Sequence, residues 1–560
     1  MRARSGSPHS APISFRTKKL YRRIQSATPQ NAHQAKLRKD LVEGFEDTGV
    51  TLPAEKRLRA REIIDRLEDL RQAFGRNVRD DSSVVIVTPG EMQGLPERYI
   101  AAQEKDEHGN FVLGLEFPAY GPFMANAASE DARRRYWIMK TRQGGEANLP
   151  LFDEIQALRF EFARLYGLPS YGAYAIRRKM AETPENVMKF LAQVKAAVTE
   201  LEKKEIGEMR ALKAHDLGTA LDKTRIEHWD VDYYQEKIRK ARSRIDQEAL
   251  RKYFPTGKSI EYTLLVATTL YGVKFREVKV PVWHPDVNYY DVLDARTGRH
   301  LGGFYLDVYL REGKFTHSAA FPIFGGSRLA RRTPLAALVV HLGREGLVQD
   351  ELESLMHEFG HVMHHVLSQT DYAPHSGGNV MGDFVEAPSQ MFQEWARREQ
   401  PLALFGKVCP ECPQLGADEI RRLDDARKFG MGIFYAQQWL NASYDMALTS
   451  DQPEPALALW QRMEGGTPLG YVEGTLFPAS FVHLAGSYGA GYYGYMWSQV
   501  LALDMLSAFG NNLLDPKVGK RYRDTILAQG GQRHPAQLVK DFLGREPNSE
   551  AFFAEITGTR

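Results

Sequence analysis

His357-Glu358-Phe359-Gly360-His361 sits inside a stretch of alternating apolar and polar character that runs from about Gln349 to Leu367. Two histidines four residues apart share one face of a helix, one turn from each other. Both imidazoles then reach a single metal ion, and the glutamate between them reaches a water on that ion. The pattern predicts a hydrolytic site with zinc as Lewis acid and Glu358 as general base. The competing reading is an ordinary helix with two surface histidines, and the neighbouring residues weigh against it. Leu352, Leu355, Met356, Phe359, Val362, Met363 and Val366 recur at three- and four-residue steps, the period of a packed helix. Glu353, His357, His361 and His364 run down a second stripe. Ionisable groups aligned on a largely apolar helix are costly to bury unless a metal or a polar cleft receives them.

The pentapeptide alone leaves the third ligand open. A metzincin would place Gly at 364 and His at 367, whereas this chain has His364 and Leu367. The remaining common arrangement takes a carboxylate from a later helix and leaves a fourth position for water. Downstream, after the turn Ser376-Gly377-Gly378-Asn379, stands Asp383-Phe384-Val385-Glu386-Ala387-Pro388-Ser389-Gln390-Met391-Phe392. Pro388 fits the first turn of a helix, where its missing N–H loses no bond. Asp383 suits an N-cap, or a partner that steers a ligand from behind. Glu386 is the favoured third ligand on this framing, with Glu394 and Asp371 as competitors that spacing does not eliminate.

A second unusual segment lies between residues 481 and 498, where four Gly and four Tyr are interspersed. Glycine permits tight backbone approach, and tyrosine supplies an aromatic wall with a hydroxyl tip. An irregular Tyr-rich turn packed between helices is the plainer reading of the same composition.

Taken together, His357-Glu358-Phe359-Gly360-His361-Val362-Met363-His364 and Asp383 to Gln390 strongly resemble the thimet oligopeptidase family of zinc metallopeptidases, which includes oligopeptidase A and dipeptidyl carboxypeptidase. The likeness extends to Phe304-Tyr305-Leu306-Asp307-Val308-Tyr309, to Arg311-Glu312-Gly313-Lys314, to His483 through Ser498, and to Phe542-Leu543-Gly544-Arg545-Glu546-Pro547. It is traceable from about Leu41 to Phe553. The resemblance implies one Zn2+ per chain, held by His357, His361 and Glu386, with Glu358 activating the water. It implies that His483, Tyr488 and Tyr495 contact substrate or the tetrahedral intermediate. Apart from the resemblance, Glu353 and Asp383 read as residues that support the ligands from behind. Tyr492 and Tyr493 read as packing residues. The family commonly carries an acid directly after the Tyr that matches Tyr488; here Gly489 stands there, which bears on subsite preference and loop mobility.

The implied fold is mainly α, a zincin of the gluzincin type. Two helical halves would flank a deep channel, and a small β-sheet near the zinc helix would offer its edge to bound peptide. The implied activity is endopeptidase cleavage of short peptides. A dipeptidyl carboxypeptidase with the same zinc site is one alternative, and a non-catalytic peptide-binding protein is another. Typical family members extend further at the N-terminus, so the resemblance also implies a chain that begins inside the family pattern, with one channel wall shortened.

Composition sets the outer bounds. The 560 residues suffice for two or more domains or one large elongated one. Lys plus Arg (73) nearly cancels Asp plus Glu (71), so no global field favours nucleic acid or membranes. The expected partners are short peptides, with the protein a monomer. The only cysteines, Cys409 and Cys412, stand in one Cys-x-x-Cys. Without a second pair this reads as a local surface loop of an intracellular protein rather than a zinc site, and its role stays open. Residues 1–39 hold ten Lys or Arg and no acid. They read as a basic segment, either disordered or a targeting signal, with a basic helix from about Thr17; the expected location is cytoplasmic, with mitochondrial as the alternative. A helical region over 40–130 and a catalytic domain over 131–556 complete the expected organisation.

Helical periodicity marks Ala54–Arg76, Glu185–Leu212 and Asp232–Leu250, with Pro and Gly breaks near 89–96, 118–122 and 143–150. Strand-like text covers Ser83–Thr88, Val278–Trp283, Gly303–Tyr309 and Leu335–His341. His317 and His341 near these strands read as ordinary polar residues.

Overall fold

The computed structural model describes residues 18–245, 248–311, 314 and 318–559. The fold is mainly α-helical with two small sheets. Two compact units interleave along the sequence. The first comprises the chain up to Ser26, Leu41–Ala241 and Arg427–Tyr493; the second comprises Ala27–Asp40, Arg242–Ala426 and Gly494 onward. Residues 1–17 of the basic segment, and His317, lie outside the described residues, while Lys18–Gln25 forms a helix. Among the described residues no helix is long and apolar enough to cross a membrane.

In the first unit, Ile63, Leu67, Leu70 and Phe74 of helix Ala54–Arg79 form one apolar stripe. It packs on Phe152, Ile155 and Phe162 of helix Asn148–Leu165, with Leu440, Tyr444 and Trp460 closing the core. Burying each such side chain contributes about 1.5–3 kcal/mol. Helix Pro184–Leu217 owes its length of 34 residues to clean ends. The Thr183 side chain accepts the Asn186 amide, Pro184 occupies the first turn, and Gly218 closes the far end at φ 63°. This helix lies against helix Met431–Leu448 at Gly432, where an added Cβ would fall 2.6 Å from the Glu202 amide nitrogen. The buried Glu205 carboxylate accepts the Gly430 and Ile433 amides at 2.8 and 3.0 Å, capping Met431–Leu448 from another helix. A small antiparallel sheet, β1 (Val85–Val87), β2 (Glu104–Lys105) and β3 (Phe111–Leu113), is ordered β1-β3-β2.

The second unit is organised on a five-stranded sheet. Its strands are β4 (Val273–Glu277), β5 (Asn288–Asp294), β6 (His300–Tyr309), β7 (Ala319–Phe324) and β8 (Leu335–Leu342), in the order β4-β5-β6-β8-β7. The β6–β8 pair is parallel and the rest are antiparallel, with β7 at one edge of the sheet. Helix Gln349–Val366, which carries the His-Glu-Phe-Gly-His pentapeptide, follows β8 and packs on this sheet. Gly302 of β6 allows that approach, since a Cβ there would lie 2.8 Å from the Val366 carbonyl oxygen.

Several local expectations are corrected. Val278–Trp283 is not a strand; Pro281 removes a ladder donor, and the strand is the preceding Val273–Glu277. The strands β5 and β7 had no clear sequence signal, and β7 tolerates Pro322 because it lies on an edge. The helical stretch expected to reach Leu250 stops at Ser243, and Glu248–Lys252 forms a 3-10 turn. The expected break at 118–122 falls within helix Phe117–Asn126, whose Pro118 sits in the first turn.

Glu464, at the end of helix Ala456–Gly465 in the first unit, is 6% exposed, and burial pushes its carboxyl up to about 7. The folded chain therefore keeps a proton that the unfolded chain releases, so stability falls as pH rises from the usual carboxylate range to about 7. Glu464→Gln should remove that slope and stabilise the protein at about pH 8 by roughly 1–3 kcal/mol, while changing little at about pH 4. Urea unfolding across this range reads the effect, and parallel pH profiles for wild type and variant would contradict it.

Candidate metal centre and its supports

Within helix Gln349–Val366, the four-residue spacing puts the rings of His357 and His361 5.1 Å apart, centroid to centroid. The third member arrives from helix Ala387–Gln393. Gly360 sets the approach of the two helices, because a Cβ there would sit 2.6 Å from Ser389 Cα. Glu386 occupies the N-cap position and Pro388 the first turn. One Glu386 carboxylate oxygen lies 3.4 Å from His357 Nε2 and 3.1 Å from His361 Nε2. One ligand atom from each of the three residues falls within 4.8 Å of the others, the one such group of three or more among the described residues. Asp383 is not the N-cap expected of it, since Glu386, three residues later, holds that position; the Asp383 carbonyl accepts the Ser498 hydroxyl at 2.9 Å.

The competing carboxylates are engaged elsewhere. Glu394 pairs with Arg397 and Arg398, and Asp371 with His33 and Arg328. His341 lies on β8. His364 is buried, its two ring nitrogens have no hydrogen-bond partner among the described residues, and burial pushes its pKa down to about 3. It is therefore a neutral ring.

Burial alone would raise the Glu386 carboxyl. The opposite charge on His361 and hydrogen bonds from both histidines instead hold it well below the usual carboxylate range. The converse holds for His361: burial lowers it, but Glu386 more than offsets this, and the imidazole is raised. Glu358 is pushed up chiefly by burial, opposed by the two histidines and by the Ala320 amide of β7. It thus lies beside the edge strand β7 with a raised proton affinity, which suits a general base.

Behind His357 runs a chain of buried polar groups. His357 Nδ1 lies 3.2 Å from Gln393 Oε1, and Gln393 Nε2 donates to Glu353 Oε2 at 3.1 Å. Arg397 Nη2 donates to the same Glu353 oxygen at 2.5 Å, and Arg397 Nη1 to Glu394 Oε1 at 2.9 Å. With Gln393 Oε1 accepting from Nδ1, the proton that Nε2 offers to Glu386 is the one the ring would give up to bind a metal, which leaves the tautomer a metal ligand needs. Glu353 thus reaches His357 through Gln393, seven residues after Glu386 and one that the sequence reading passed over. Its position on the face shared with Glu386 and Gln390 was the available signal.

Tyr495, in the same unit, opens helix Gly494–Ser507, and its carbonyl accepts from Gln390 Nε2 at 3.0 Å. His483 and Tyr488 belong to the first unit, with ring centroids 5.7 Å apart. Cys409 and Cys412 are joined by a disulfide across the Pro-Glu turn, so neither offers a free thiolate.

The family model for peptidase family M3 matches residues 123–558. The chain belongs to peptidase family M3. Oligopeptidase A of Salmonella typhimurium is 32% identical over 93% of this chain and 81% of its own length. A thimet-like oligopeptidase of Dictyostelium discoideum is 30% identical over 92% of this chain and 80% of its own. Among solved structures, PZ peptidase A superposes with a TM-score of 0.59 at 13% identity, covering 97% of this chain and 83% of that one. This M3 peptidase is accordingly a metallopeptidase that acts on peptides, and the His-His-Glu group lies inside the matched segment.

Gln393→Leu removes the acceptor that orients His357 without touching a ligand atom. It should weaken Zn2+ binding by about 10- to 100-fold. Competition against a chelator of known affinity measures this, and an unchanged dissociation constant would contradict it.

Proposed function

We propose that this M3 peptidase is a zinc-dependent oligopeptidase that cleaves internal bonds of short peptides. The observation that carries the reading is the convergence of His357, His361 and Glu386 beside a burial-raised Glu358. Two imidazoles and one carboxylate form the donor set of a hydrolytic zinc site. The 3.1 and 3.4 Å separations agree with the roughly 3.4 Å edge of a tetrahedron whose centre-to-corner length is that of Zn–N and Zn–O bonds, about 2.1 Å. The residues therefore fit the ion.

When bound, zinc would lower the pKa of a water and polarise the scissile carbonyl. Glu358 takes the proton of the attacking water and returns it to the departing amine, a transfer favoured by a carboxylate of raised pKa. Charge that develops on the carbonyl oxygen calls for hydrogen-bond donors placed in advance. We assign that task, and contact with the substrate, to His483, Tyr488 and Tyr495, as the family resemblance implies. The edge position of β7, beside Glu358, suits main-chain pairing with an extended peptide, which reads backbone rather than sequence.

Glu358→Gln should retain stoichiometric zinc and lose about 10²- to 10⁴-fold in kcat on an internally quenched peptide with a blocked C-terminus. Equal rates for wild type and variant would end the enzymatic reading of this site. Cleavage that requires a free C-terminal carboxylate, and then releases only dipeptides, would instead favour a dipeptidyl carboxypeptidase.

A further inference from the structure

The Gly/Tyr segment is held by two buried charges that no part of the zinc chemistry uses. Arg159, on helix Asn148–Leu165, donates through Nη1 to the Leu484 carbonyl at 2.6 Å. Through Nη2 it donates to those of Ala485 and Gly486 at 3.3 and 2.6 Å. Asp445, on helix Met431–Leu448, accepts the Ala490, Gly491 and Tyr492 amides at 2.8, 2.8 and 3.0 Å. Each side chain is 1% exposed, and neither makes an ion pair among the described residues. Buried charges without a direct counter-ion are unfavourable unless their hydrogen bonds compensate. Both are directed at the main chain of one loop, Arg159 at its entry and Asp445 at its exit.

Two backbone details show how closely the loop is held. Ala490 adopts φ 53°, the left-handed region that a residue with a Cβ avoids, although glycines stand on either side. Its amide is one of the three that Asp445 accepts, and its carbonyl accepts from Lys179 Nζ at 3.1 Å. Gly489 lies directly against Arg159, where an added Cβ would fall 2.6 Å from the guanidinium carbon. The acid common at this position in the family is therefore replaced by the one residue without a side chain to displace the arginine. Leu484, Ala485 and Gly489 to Gly491 are buried, while Tyr488 is half-exposed and His483, just ahead of the first anchor, is exposed. Strain of this kind persists where the surroundings over-determine a conformation, commonly at functional sites.

We propose that Arg159 and Asp445 are positioning residues that lock residues 484–492 in one conformation and so fix Tyr488 and His483 for substrate. The inference rests on the substrate role assigned to those two residues above. A segment this rich in glycine would otherwise sample many conformations, and each turnover would wait on the productive one.

The test uses the full-length, zinc-loaded protein. Asp445→Asn keeps the size of the side chain but places a donor where an acceptor is needed. Amide hydrogen exchange at 490–492 should accelerate at least about tenfold, and kcat should fall about 10- to 100-fold with a smaller change in KM. Combined with Tyr488→Phe, the two losses should be less than multiplicative, because they act on one group. Should Asp445→Asn not fold, Gly489→Ala serves, since its methyl group meets the Arg159 guanidinium and leaves both charges in place. It too should raise exchange at 490–492 and lower kcat. Unchanged exchange in whichever variant folds would overturn the clamp. Faster exchange with unchanged kcat, while Tyr488→Phe alone lowers kcat, would overturn its positioning role. If Tyr488→Phe itself leaves kcat intact, the substrate role of Tyr488 fails, and the exchange data still decide whether the loop is clamped.

Discussion

The second unit depends on one close approach between two helices. Gly360 packs its bare Cα against Ser389, and no other residue would let helix Gln349–Val366 and helix Ala387–Gln393 meet at that distance. The contact sets where Glu386 stands relative to His357 and His361. Glu386 sits at the very start of its helix, so a shift between the two elements would carry its carboxylate out of reach of both rings. The same packing places Gln393 behind His357, where it fixes the ring by its other nitrogen. The convergence of the three candidate ligands and the orientation of His357 are thus consequences of a single backbone contact.

Charge is used in two distinct ways in the molecule. Around the candidate metal centre, Glu353, Gln393, Arg397 and Glu394 form a continuous chain in which each charge has a partner, so the buried Glu353 carboxylate behind Gln393 and His357 is compensated. In the first unit, Glu205, Asp445 and Arg159 place buried charges on main-chain amides and carbonyls instead. There they complete helix ends and hold irregular backbone that regular secondary structure does not satisfy.

The grouping of the candidate site was legible in the sequence where it is local: His357, Glu358 and His361 lie within little more than one turn of a strongly periodic helix. Glu386 was legible once Pro388 framed the start of a helix, although Asp383 was misplaced as its cap. The long helices over Ala54–Arg79 and Pro184–Leu217, and the strands β6 and β8, followed from periodicity. What escaped depends on tertiary contact. β7 has Pro322 and four exposed residues in succession, so neither alternation nor β propensity marks it, and only pairing with β8 makes it a strand. Gln393, Arg159 and Asp445 are polar residues on helices whose partners lie far along the chain or on another element. For Gln393 the shared helix face is the one local hint, and for Arg159 and Asp445 a single sequence carries none.

The central claim is that His357, His361 and Glu386 hold one zinc ion beside Glu358. Anomalous diffraction from crystals of the zinc-loaded protein, recorded on both sides of the zinc absorption edge, locates the metal without reference to activity. The account predicts a single strong peak at roughly 2.0–2.2 Å from Nε2 of both histidines and from a Glu386 oxygen. A strong peak elsewhere, or a zinc-loaded protein with no peak among these three side chains, would contradict it.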